Sequence, residues 1–269
     1  MKPLPRKWTR AGLKAMDSVR PAKGAPVTGK KDPGAGNGDK PAAVRRMFGA
    51  IAGRYDAMNR LMTLGQDQKW RRMAIAQAGL SRGARLLDVG AGTGGLCLAA
   101  LTRDEHARVT AVDFTEAMIA GGRQRLAGRP IAWCAADALH LPFADARFDA
   151  VVSGYLLRNV ADIHQALAEQ ARVVKPGGRV VILDTCPPAK GVFHPLVMAH
   201  LCWVVPMLGR IVTGDRDAYT YLPQSTMGFL QPAQMVAAMR AAGLLPVRHR
   251  RLMFGTVAIH VGQRPEGGQ

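Results

Sequence analysis

The stretch 85–95 has the residue types and spacing that most clearly indicate chemistry. An apolar strand carries Asp88 near its end, and glycines follow at Gly90, Gly92 and Gly94. Glycine has no Cβ, so this backbone can turn tightly and approach a ligand closely. A carboxylate ahead of the glycines would repel a pyrophosphate, which binds bare amides at a helix N-terminus, but would attract the ammonium group of a methionine-derived cofactor. The pattern therefore favours S-adenosylmethionine (SAM).

Two other interpretations of this turn stay open. Gly90, Gly92 and Gly95 also satisfy the dinucleotide fingerprint G-x-G-x-x-G, so a nicotinamide-dependent reductase is the remote alternative. A single match to that fingerprint is a weak signal, and a glycine-rich turn that binds no ligand would look the same. Titration with S-adenosylhomocysteine (SAH) and with NADPH separates the two cofactors.

Carboxylates also stand at the ends of the next two predicted strands. Asp113 ends the apolar run 108–113, at about the spacing where an acid meets a ribose diol. Asp137 follows the run 130–135, where it can accept from the exocyclic amine of adenine. Either acid alone could be a helix N-cap. Three acids at successive strand ends indicate one ligand site, because open parallel sheets bind ligands beyond their carboxyl edges.

The elements that must position these acids alternate between strands and helices. Strands are predicted at 84–89, 108–113, 130–134, 147–153 and 178–184. Helices such as 116–127 and 163–174 separate them, and this alternation predicts a parallel sheet with right-handed crossovers. We expect Pro176 and the glycines at 177 and 178 to end the helix 163–174, with the fifth strand directly after them.

The flanking regions are predicted to be mostly helical. Ahead of the first strand, apolar residues recur at helical spacing over 44–78, which predicts two or three helices. Residues 187–230 form a largely helical insertion punctuated by proline, and a helix over 231–242 follows. Two strand-like runs, 244–252 and 254–263, are close enough to pair as an antiparallel hairpin.

The insertion carries many apolar side chains. They are Phe193, Leu196, Val197, Met198, Leu201, Trp203, Val204, Val205, Met207 and Leu208. A polyprenyl tail fits such a wall, although methionines and aromatics at helical spacing also pack as ordinary core. The longest uncharged run, 192–208, is short for a membrane span, so it is predicted to be buried or interfacial.

Basic residues are concentrated at the N-terminus. The 269-residue chain has a formal net charge of +18, and residues 1–46 supply half of it. Residues 21–41 lack the apolar periodicity that offsets chain entropy, so we predict that 1–43 is a basic, Pro/Gly-rich, disordered arm that touches anionic lipid, nucleic acid or no partner. The domain is then 44–263, with a tail at 264–269. Aromatic content is 6%, and no specific nucleic-acid interface is predicted.

Cysteine and histidine placement predicts neither disulfides nor a metal site. The four cysteines lack C-x-x-C pairing and lie in apolar surroundings typical of reduced thiols. The histidines show no H-x-x-x-H or Cys/His grouping. With no secretory h-region near the N-terminus, we expect a cytoplasmic protein, peripheral at the inner face of the membrane through 192–208 or the basic arm.

Motifs spread over about residues 44–263 resemble those of one enzyme class. A first group consists of Asp88 with the glycine loop that follows it, Asp113, and the segments 137–143, 147–149 and 174–178. A second group consists of the segments 55–63, 157–160 and 217–222. The first group resembles the class I SAM-dependent methyltransferases, and the second the UbiE/MenG/Coq5 quinone C-methyltransferases. The resemblance implies SAM as cofactor and a Rossmann-like α/β fold: a mostly parallel seven-stranded sheet with an antiparallel last strand and helices on both faces.

The resemblance also implies roles for individual residues. The positions that match cofactor residues are Asp88, Gly90, Gly92, Thr93, Gly94, Asp113, Phe114, Asp137, Ala138 and Gly154. Those that match substrate residues are Asp56, Met58, Asn59, Tyr219 and Tyr221. Arg158, Asn159 and Tyr55 are the catalytic candidates.

The chain departs from the family pattern at four places. Thr63 stands for a serine, Asp67 for a histidine, Leu156 for a glycine, and Asp-Thr-Cys at 184–186 for Glu-x-Ser. These departures concern substrate choice, so another phenolic or isoprenoid-derived small molecule is the alternative acceptor. Partners expected besides the lipophilic quinol are a membrane surface and either a homodimer or a quinone-biosynthesis complex.

The implied reaction is methyl transfer to a ring carbon of a polyprenylated quinol, either demethylmenaquinol or a benzoquinol precursor of ubiquinone. The quinol hydroxyl, with a pKa of roughly 10, must be deprotonated or polarised. A guanidinium cannot act as a base, so we expect Arg158 to stabilise the developing phenolate, directly or through a water. Asn159 and Tyr55 would orient that assembly. A surface ion pair with Asp162 is the structural alternative for Arg158.

Overall fold

A seven-stranded sheet forms the centre of the fold in the computed structural model, which describes residues 45–49, 52–205, 207 and 217–266. The strands are β1 (Arg85–Val89), β2 (Arg108–Asp113), β3 (Ile131–Ala135), β4 (Phe148–Gly154), β5 (Val174–Thr185), β6 (Val247–Leu252) and β7 (Val257–Gln263). The predicted arm 1–43 and Leu208 lie outside the described residues.

The strand order is β3-β2-β1-β4-β5-β7-β6. Strands β1 to β5 pair in parallel, whereas β7 is antiparallel to both β5 and β6. Of the seven described strands, β7 therefore runs against all the others. This arrangement confirms the predicted mostly parallel sheet and the predicted antiparallel hairpin.

Helices cover both faces of this sheet. They are α1 (Tyr55–Met62), α2 (Gln66–Ala78), α3 (Gly95–Arg103), α4 (Glu116–Arg125), α5 (Ile163–Val173), α6 (His194–Ala199), α7 (Asp217–Met227) and α8 (Pro232–Ala241). Leu86 of β1 belongs to a core cluster with Ile75 of α2, whereas the next residue, Leu87, belongs to a second cluster with Leu167 of α5 and Met239 of α8. Neighbouring residues of a strand point to opposite faces, so β1 contributes to both cores.

The end of α5 differs from the sequence prediction. The helix ends at Val173, and Val174 already pairs with β4, so the expectation that the glycines end this helix is wrong. Gly177 and Gly178 lie within β5 instead. Gly177 has a φ of +76°, and a Cβ on Gly178 would lie 2.7 Å from the carbonyl oxygen of Asp149. The glycines therefore permit the close approach of β5 to β4 at a register irregularity.

The flanking regions are helical where the structure describes them. Residues 45–49 form a helical segment ahead of α1 and α2, and the insertion contributes α6, a π-helical turn (His200–Val204) and α7. The backbone N–H of Gln231 donates to Gln234 Oε1 at 2.8 Å, which caps the start of α8. None of the described helices is long and apolar enough to cross a membrane.

Candidate active site

The glycine loop after β1 has the left-handed backbone that its sequence predicts. The φ angles are +68° at Gly90, +55° at Gly92 and +82° at Gly94, a region that side chains with a Cβ disfavour. A Cβ built on Gly92 meets nothing within 4 Å, because this residue borders an open cavity. The loop therefore leaves space for a ligand to approach its main chain.

Asp113 and Asp137 stand on the wall of this cavity, which we name the donor cavity. The Asp113 carboxylate accepts from the backbone N–H groups of Gly92 and Thr115, each at 2.8 Å. Burial raises the pKa of Asp113, and these N–H groups oppose that rise. Asp137 accepts from the backbone N–H of Leu139 at 2.9 Å. Each carboxylate keeps further lone pairs for a ligand.

The donor cavity has a volume of about 130 Å³. The predicted cofactor positions on its wall are Gly90, Gly92, Asp113, Phe114, Asp137, Ala138 and Gly154. These residues come from the ends of β2 and β4 and from the turns after β1, β2 and β3, which meet at one edge of the sheet. The structure thus brings together seven residues that the sequence assigns to one ligand.

Asp88, Thr93 and Gly94 support this wall without lining it. Asp88 is 1% exposed, and its Oδ2 accepts from the Cys97 thiol at 3.1 Å, whereas its Oδ1 has no hydrogen-bond partner among the described residues. Burial raises the pKa of Asp88 to about 6. The Thr93 hydroxyl donates to the Asp56 carboxylate at 2.9 Å. Direct cofactor contact by Asp88 and Thr93 stays a prediction.

The donor cavity fits SAM in its chemistry. Acceptors at Asp113 and Asp137 suit the hydroxyl and amine groups of a nucleoside, and the open space over Gly92 admits it. The unpartnered Oδ1 of Asp88 leaves one buried anionic acceptor below the loop. Among the described residues, no group of three or more His, Cys, Asp or Glu side chains could hold a metal ion.

A second and larger cavity, the acceptor cavity, has a volume of about 440 Å³. Predicted apolar-wall residues on its surface are Phe193, Leu196, Val197, Leu201, Val204 and Val205. Further lining comes from α1, α7 and the turn between β6 and β7. Trp203 does not line the cavity and is 77% exposed. Most of the predicted wall therefore faces one apolar space.

Arg158 brings a positive charge to the acceptor cavity. It lies in a 3₁₀ turn (Leu157–Asn159), and its Nη1 donates to Asp184 Oδ1 at 2.8 Å and to the Tyr155 carbonyl at 3.0 Å. The side chains of Arg158 and Asp184 are 7% and 3% exposed. Burial raises the pKa of Asp184, and the Arg158 guanidinium opposes that rise. Asp162 instead caps α5 by accepting from the Gln165 N–H, so Arg158 does not form the surface pair considered as its alternative role.

Two of the other predicted catalytic and substrate residues, Asn159 and Asn59, border the cavities. Asn159 is held at both ends, because its Nδ2 donates to the Tyr155 carbonyl at 2.9 Å and its Oδ1 accepts from the Tyr221 hydroxyl at 3.1 Å. Asn59 lines the acceptor cavity, and its buried Nδ2 has no hydrogen-bond partner among the described residues. The side chains of Tyr55 and Tyr219 lie outside the described part of the chain.

Asp56 and Met58 do not line the acceptor cavity. The Asp56 carboxylate pairs with Arg125 at 2.9 Å as well as with Thr93, which connects α1 to the glycine loop and α4. Met58 is 1% exposed and packs with Met62 and other apolar residues. The structure places both residues as supports, and their contact with substrate stays a prediction.

The departures from the family pattern contact other parts of the site. The Asp67 backbone N–H donates to the Thr63 hydroxyl at 3.3 Å, and the Asp67 carboxylate pairs with Arg71 at 3.5 Å. Leu156 packs so closely over Gly90 that a Cβ there would lie 2.7 Å from it. Each of these substitutions has local partners, so the site remains well packed around them.

Tyr155 is the functional candidate that the sequence reasoning missed. It follows directly on Gly154 at the end of β4 and lines both the donor and the acceptor cavity. Its φ is +59°, which a tyrosine rarely adopts. Its place just ahead of Arg158 and Asn159 was the one available signal.

The fold and the two cavities define a class I SAM-dependent methyltransferase rather than a reductase. A family model described as the ubiE/COQ5 methyltransferase family matches residues 37–264, and the chain belongs to that family. The ubiquinone/menaquinone biosynthesis C-methyltransferase UbiE of Desulfotalea psychrophila is 46% identical and covers 83% of this chain and 91% of its own. The demethylmenaquinone methyltransferase of Thermus thermophilus is 43% identical, and the match covers 81% of this chain and 100% of that protein.

Solved structures share the fold at low identity. A chain from the complex between the Haloferax volcanii Trm112 methyltransferase activator and the putative methyltransferase has a TM-score of 0.59 at 20% identity, covering 81% of this chain and 97% of that one. The phosphoethanolamine N-methyltransferase 2 of Haemonchus contortus, in complex with SAM, has a TM-score of 0.52 at 15% identity, and the match covers 72% of this chain and 52% of that one.

Proposed function

We propose that this protein transfers the methyl group of SAM to a ring carbon of a polyprenylated quinol. The observation that carries the proposal is a buried guanidinium, that of Arg158, on the wall of an apolar cavity next to the donor cavity. A phenol with a long isoprenoid tail needs both an apolar channel and a cation for its oxygen. The names of the relatives, demethylmenaquinone methyltransferase and UbiE, support demethylmenaquinol first and a benzoquinol precursor of ubiquinone second.

Arg158 acts on the acceptor hydroxyl in this proposal. The guanidinium stays protonated at neutral pH, so it stabilises the phenolate without taking the proton itself. The Asp184 carboxylate holds the guanidinium in place, because its Oδ1 accepts from Arg158 Nη1 at 2.8 Å. The ring carbon beside the phenolate oxygen thereby becomes nucleophilic, and bound SAM would supply an already activated methyl group. The new C–C bond forms as the S–CH3 bond breaks and SAH leaves, and a water beside the guanidinium takes the hydroxyl proton and then the ring proton, which restores the quinol.

Alignment is the other task of the protein. Asn159, held by Tyr221 and by the Tyr155 carbonyl, presents a fixed polar group where the donor cavity approaches the acceptor cavity. The apolar lining excludes water and holds the prenyl tail, so the ring has few orientations to choose from. Such alignment alone supplies several kcal/mol toward the barrier.

The membrane is the proposed source of the acceptor. Phe193, Leu196 and Trp203 are 60%, 69% and 77% exposed, and the first two also line the acceptor cavity. Aromatic and aliphatic side chains at the mouth of a lipid-binding cavity suit the interfacial region of a bilayer. We therefore propose that 192–208 contacts the membrane surface, and that the basic arm 1–43 adds electrostatic attraction to anionic lipid.

Vesicle sedimentation tests the two contacts separately. Trp203→Ser should weaken binding to neutral and anionic vesicles alike, whereas removal of 1–43 should reduce only the salt-sensitive part. If neither change alters sedimentation, the membrane proposal is wrong.

A transfer assay tests the proposed reaction. The purified protein is incubated with methyl-labelled SAM and, separately, demethylmenaquinol, a demethylated benzoquinol and a set of unprenylated phenols. We expect the label on a ring carbon of a prenylated quinol, located by mass fragmentation. Label on oxygen would refute carbon attack, and faster transfer to an unprenylated phenol would favour the alternative acceptor.

A further inference from the structure

One residue belongs to both cavities. Among the described residues that line the donor and acceptor cavities, Tyr155 is the one common to the two. Methyl transfer requires the donor sulfur, the methyl carbon and the acceptor carbon to lie in line, so the reacting atoms must meet where the cavities adjoin. Tyr155 therefore stands at the point where the two reactants have to touch.

The backbone of Tyr155 aims the two polar side chains that follow it. Its N–H donates to the Leu183 carbonyl of β5 at 2.7 Å, which fixes the turn to the sheet. Its carbonyl then accepts from Arg158 Nη1 at 3.0 Å and from Asn159 Nδ2 at 2.9 Å. The left-handed φ of +59° reverses the chain sharply enough to bring these side chains back to their own main chain.

The ring of Tyr155 lies among cations. The guanidinium carbons of Arg71 and Arg158 are each 5.7 Å from the ring centroid, within the range of a cation–π interaction. Arg71 is itself tied to Asp67 on α2. The ring thus connects the α2 surface to the proposed catalytic guanidinium, and it limits how far Arg158 can move.

We propose that Tyr155 is a positioning residue for methyl transfer, acting through Arg158 and Asn159, an inference that rests on the proposed function. Its ring forms the wall shared by the two cavities, and its carbonyl holds both side chains at that wall. The aromatic ring, rather than the phenol hydroxyl, carries this role, because the cation–π contacts and the shared wall belong to the ring.

Three substitutions separate the ring from the backbone. Tyr155→Phe keeps the ring, Tyr155→Leu keeps apolar bulk, and Tyr155→Gly suits the left-handed backbone. With a prenylated quinol, the Phe variant should retain kcat, while the Leu and Gly variants should lose about 100-fold, the size expected when reactants are misplaced by about 1 Å. SAH affinity should change far less than kcat, since the carboxylates that face the nucleoside, Asp113 and Asp137, are untouched.

Controls distinguish this role from a structural one. Phe229→Leu removes an aromatic ring outside the two cavities and should leave kcat unchanged. If Tyr155→Leu keeps the wild-type kcat, or if kcat falls only in proportion to the folded fraction, the proposal is overturned. If the wild-type protein methylates no quinol, the proposed function has failed instead.

A structure of Tyr155→Leu gives a readout that needs no acceptor. We expect the Arg158 guanidinium to leave its position, because its contact with the ring is lost, whereas Asn159 keeps the main-chain carbonyl and Tyr221 as partners. An unchanged position of the Arg158 guanidinium would overturn the proposal, whatever the acceptor proves to be.

Discussion

The donor and acceptor cavities are built in opposite ways. Polar groups of the donor cavity come from short motifs at the ends of consecutive parallel strands, such as Asp113 at the end of β2 and Asp137 after β3. The acceptor cavity is assembled from α1, α6 and α7, so Met62 and Leu222 share its wall although they are far apart in the chain. A sheet edge fixes the first cavity, whereas the apolar wall of the second depends largely on helix packing.

This difference separates the chemistry of the two ligands. A sheet edge gathers carboxylates and glycines that suit a polar nucleoside. The acceptor cavity combines apolar bulk from the helices with one buried ion pair from the sheet edge, Arg158 with Asp184, which suits a tailed phenol. Substitutions on the two sides should therefore change different kinetic parameters.

The largest effect is expected on the acceptor side. Arg158→Ala should lower kcat by about 100- to 1,000-fold, because one preorganised donor to a developing oxyanion is lost. SAH affinity, measured by calorimetry, should stay within about threefold of wild type, since Arg158 does not line the donor cavity.

A double variant guards this test against misfolding. Arg158→Ala leaves Asp184 buried without its cation, which destabilises a fold. Arg158→Met with Asp184→Asn removes both charges and should show the same loss of kcat with a smaller loss of Tm. Loss of SAH binding in either variant would contradict the division between the cavities.

A smaller effect is expected on the donor side. Asp113→Ala removes the acceptor that faces the nucleoside, so the dissociation constant of SAH should rise by about 10- to 100-fold. Turnover at saturating SAM should fall far less than in Arg158→Ala. Asp113→Asn keeps one acceptor for the N–H groups of Gly92 and Thr115 and should give an intermediate affinity. Unaltered SAH affinity in Asp113→Ala would remove Asp113 from the donor site.

The smallest effect concerns the free energy of unfolding and comes from Asp88, which is buried beneath the glycine loop. Burial raises the pKa of Asp88 from 3.8 to about 6, so the folded state holds this proton more tightly than the unfolded state does. The free energy of unfolding should therefore fall as the pH rises from about 4 to 6. Asp88→Asn should remove that dependence and raise stability at pH 7 by about 1 kcal/mol, since the buried amide itself costs part of the gain.

The same variant tests the predicted cofactor role of Asp88. Because the buried carboxylate is disfavoured in the fold, its retention fits a functional use. Asp88→Asn should weaken SAH binding by about tenfold, the loss of one charge-assisted hydrogen bond. Higher stability with unchanged SAH affinity would show that Asp88 does not serve the cofactor.

The sequence predicted the donor side well for a physical reason. Strand ends follow from hydrophobic pattern, and parallel strands place their ends at one edge, so Asp113 and Asp137 could be expected together. The predicted start of β5 was less accurate, because Val174 pairs with Phe148 of β4 and so enters the sheet before the glycines.

The acceptor side shows where sequence reasoning ends. Helical spacing offered Asp162 as the alternative partner of Arg158, but the residue that Arg158 pairs with is Asp184, 26 residues away on β5. Tyr155 carried no sign of its left-handed backbone, because that conformation usually marks glycine or asparagine. Both features arise from tertiary packing, which residue spacing along one chain does not encode.

A structure determined with SAH and a tailed quinol analogue would show both ligands in place. We expect SAH against Asp113 and Asp137, the quinol oxygen within hydrogen-bond distance of Arg158, and the tail along the wall that includes Leu201, with Tyr155 between the two ligands. A quinol bound outside the acceptor cavity, or an oxygen turned away from Arg158, would contradict this arrangement.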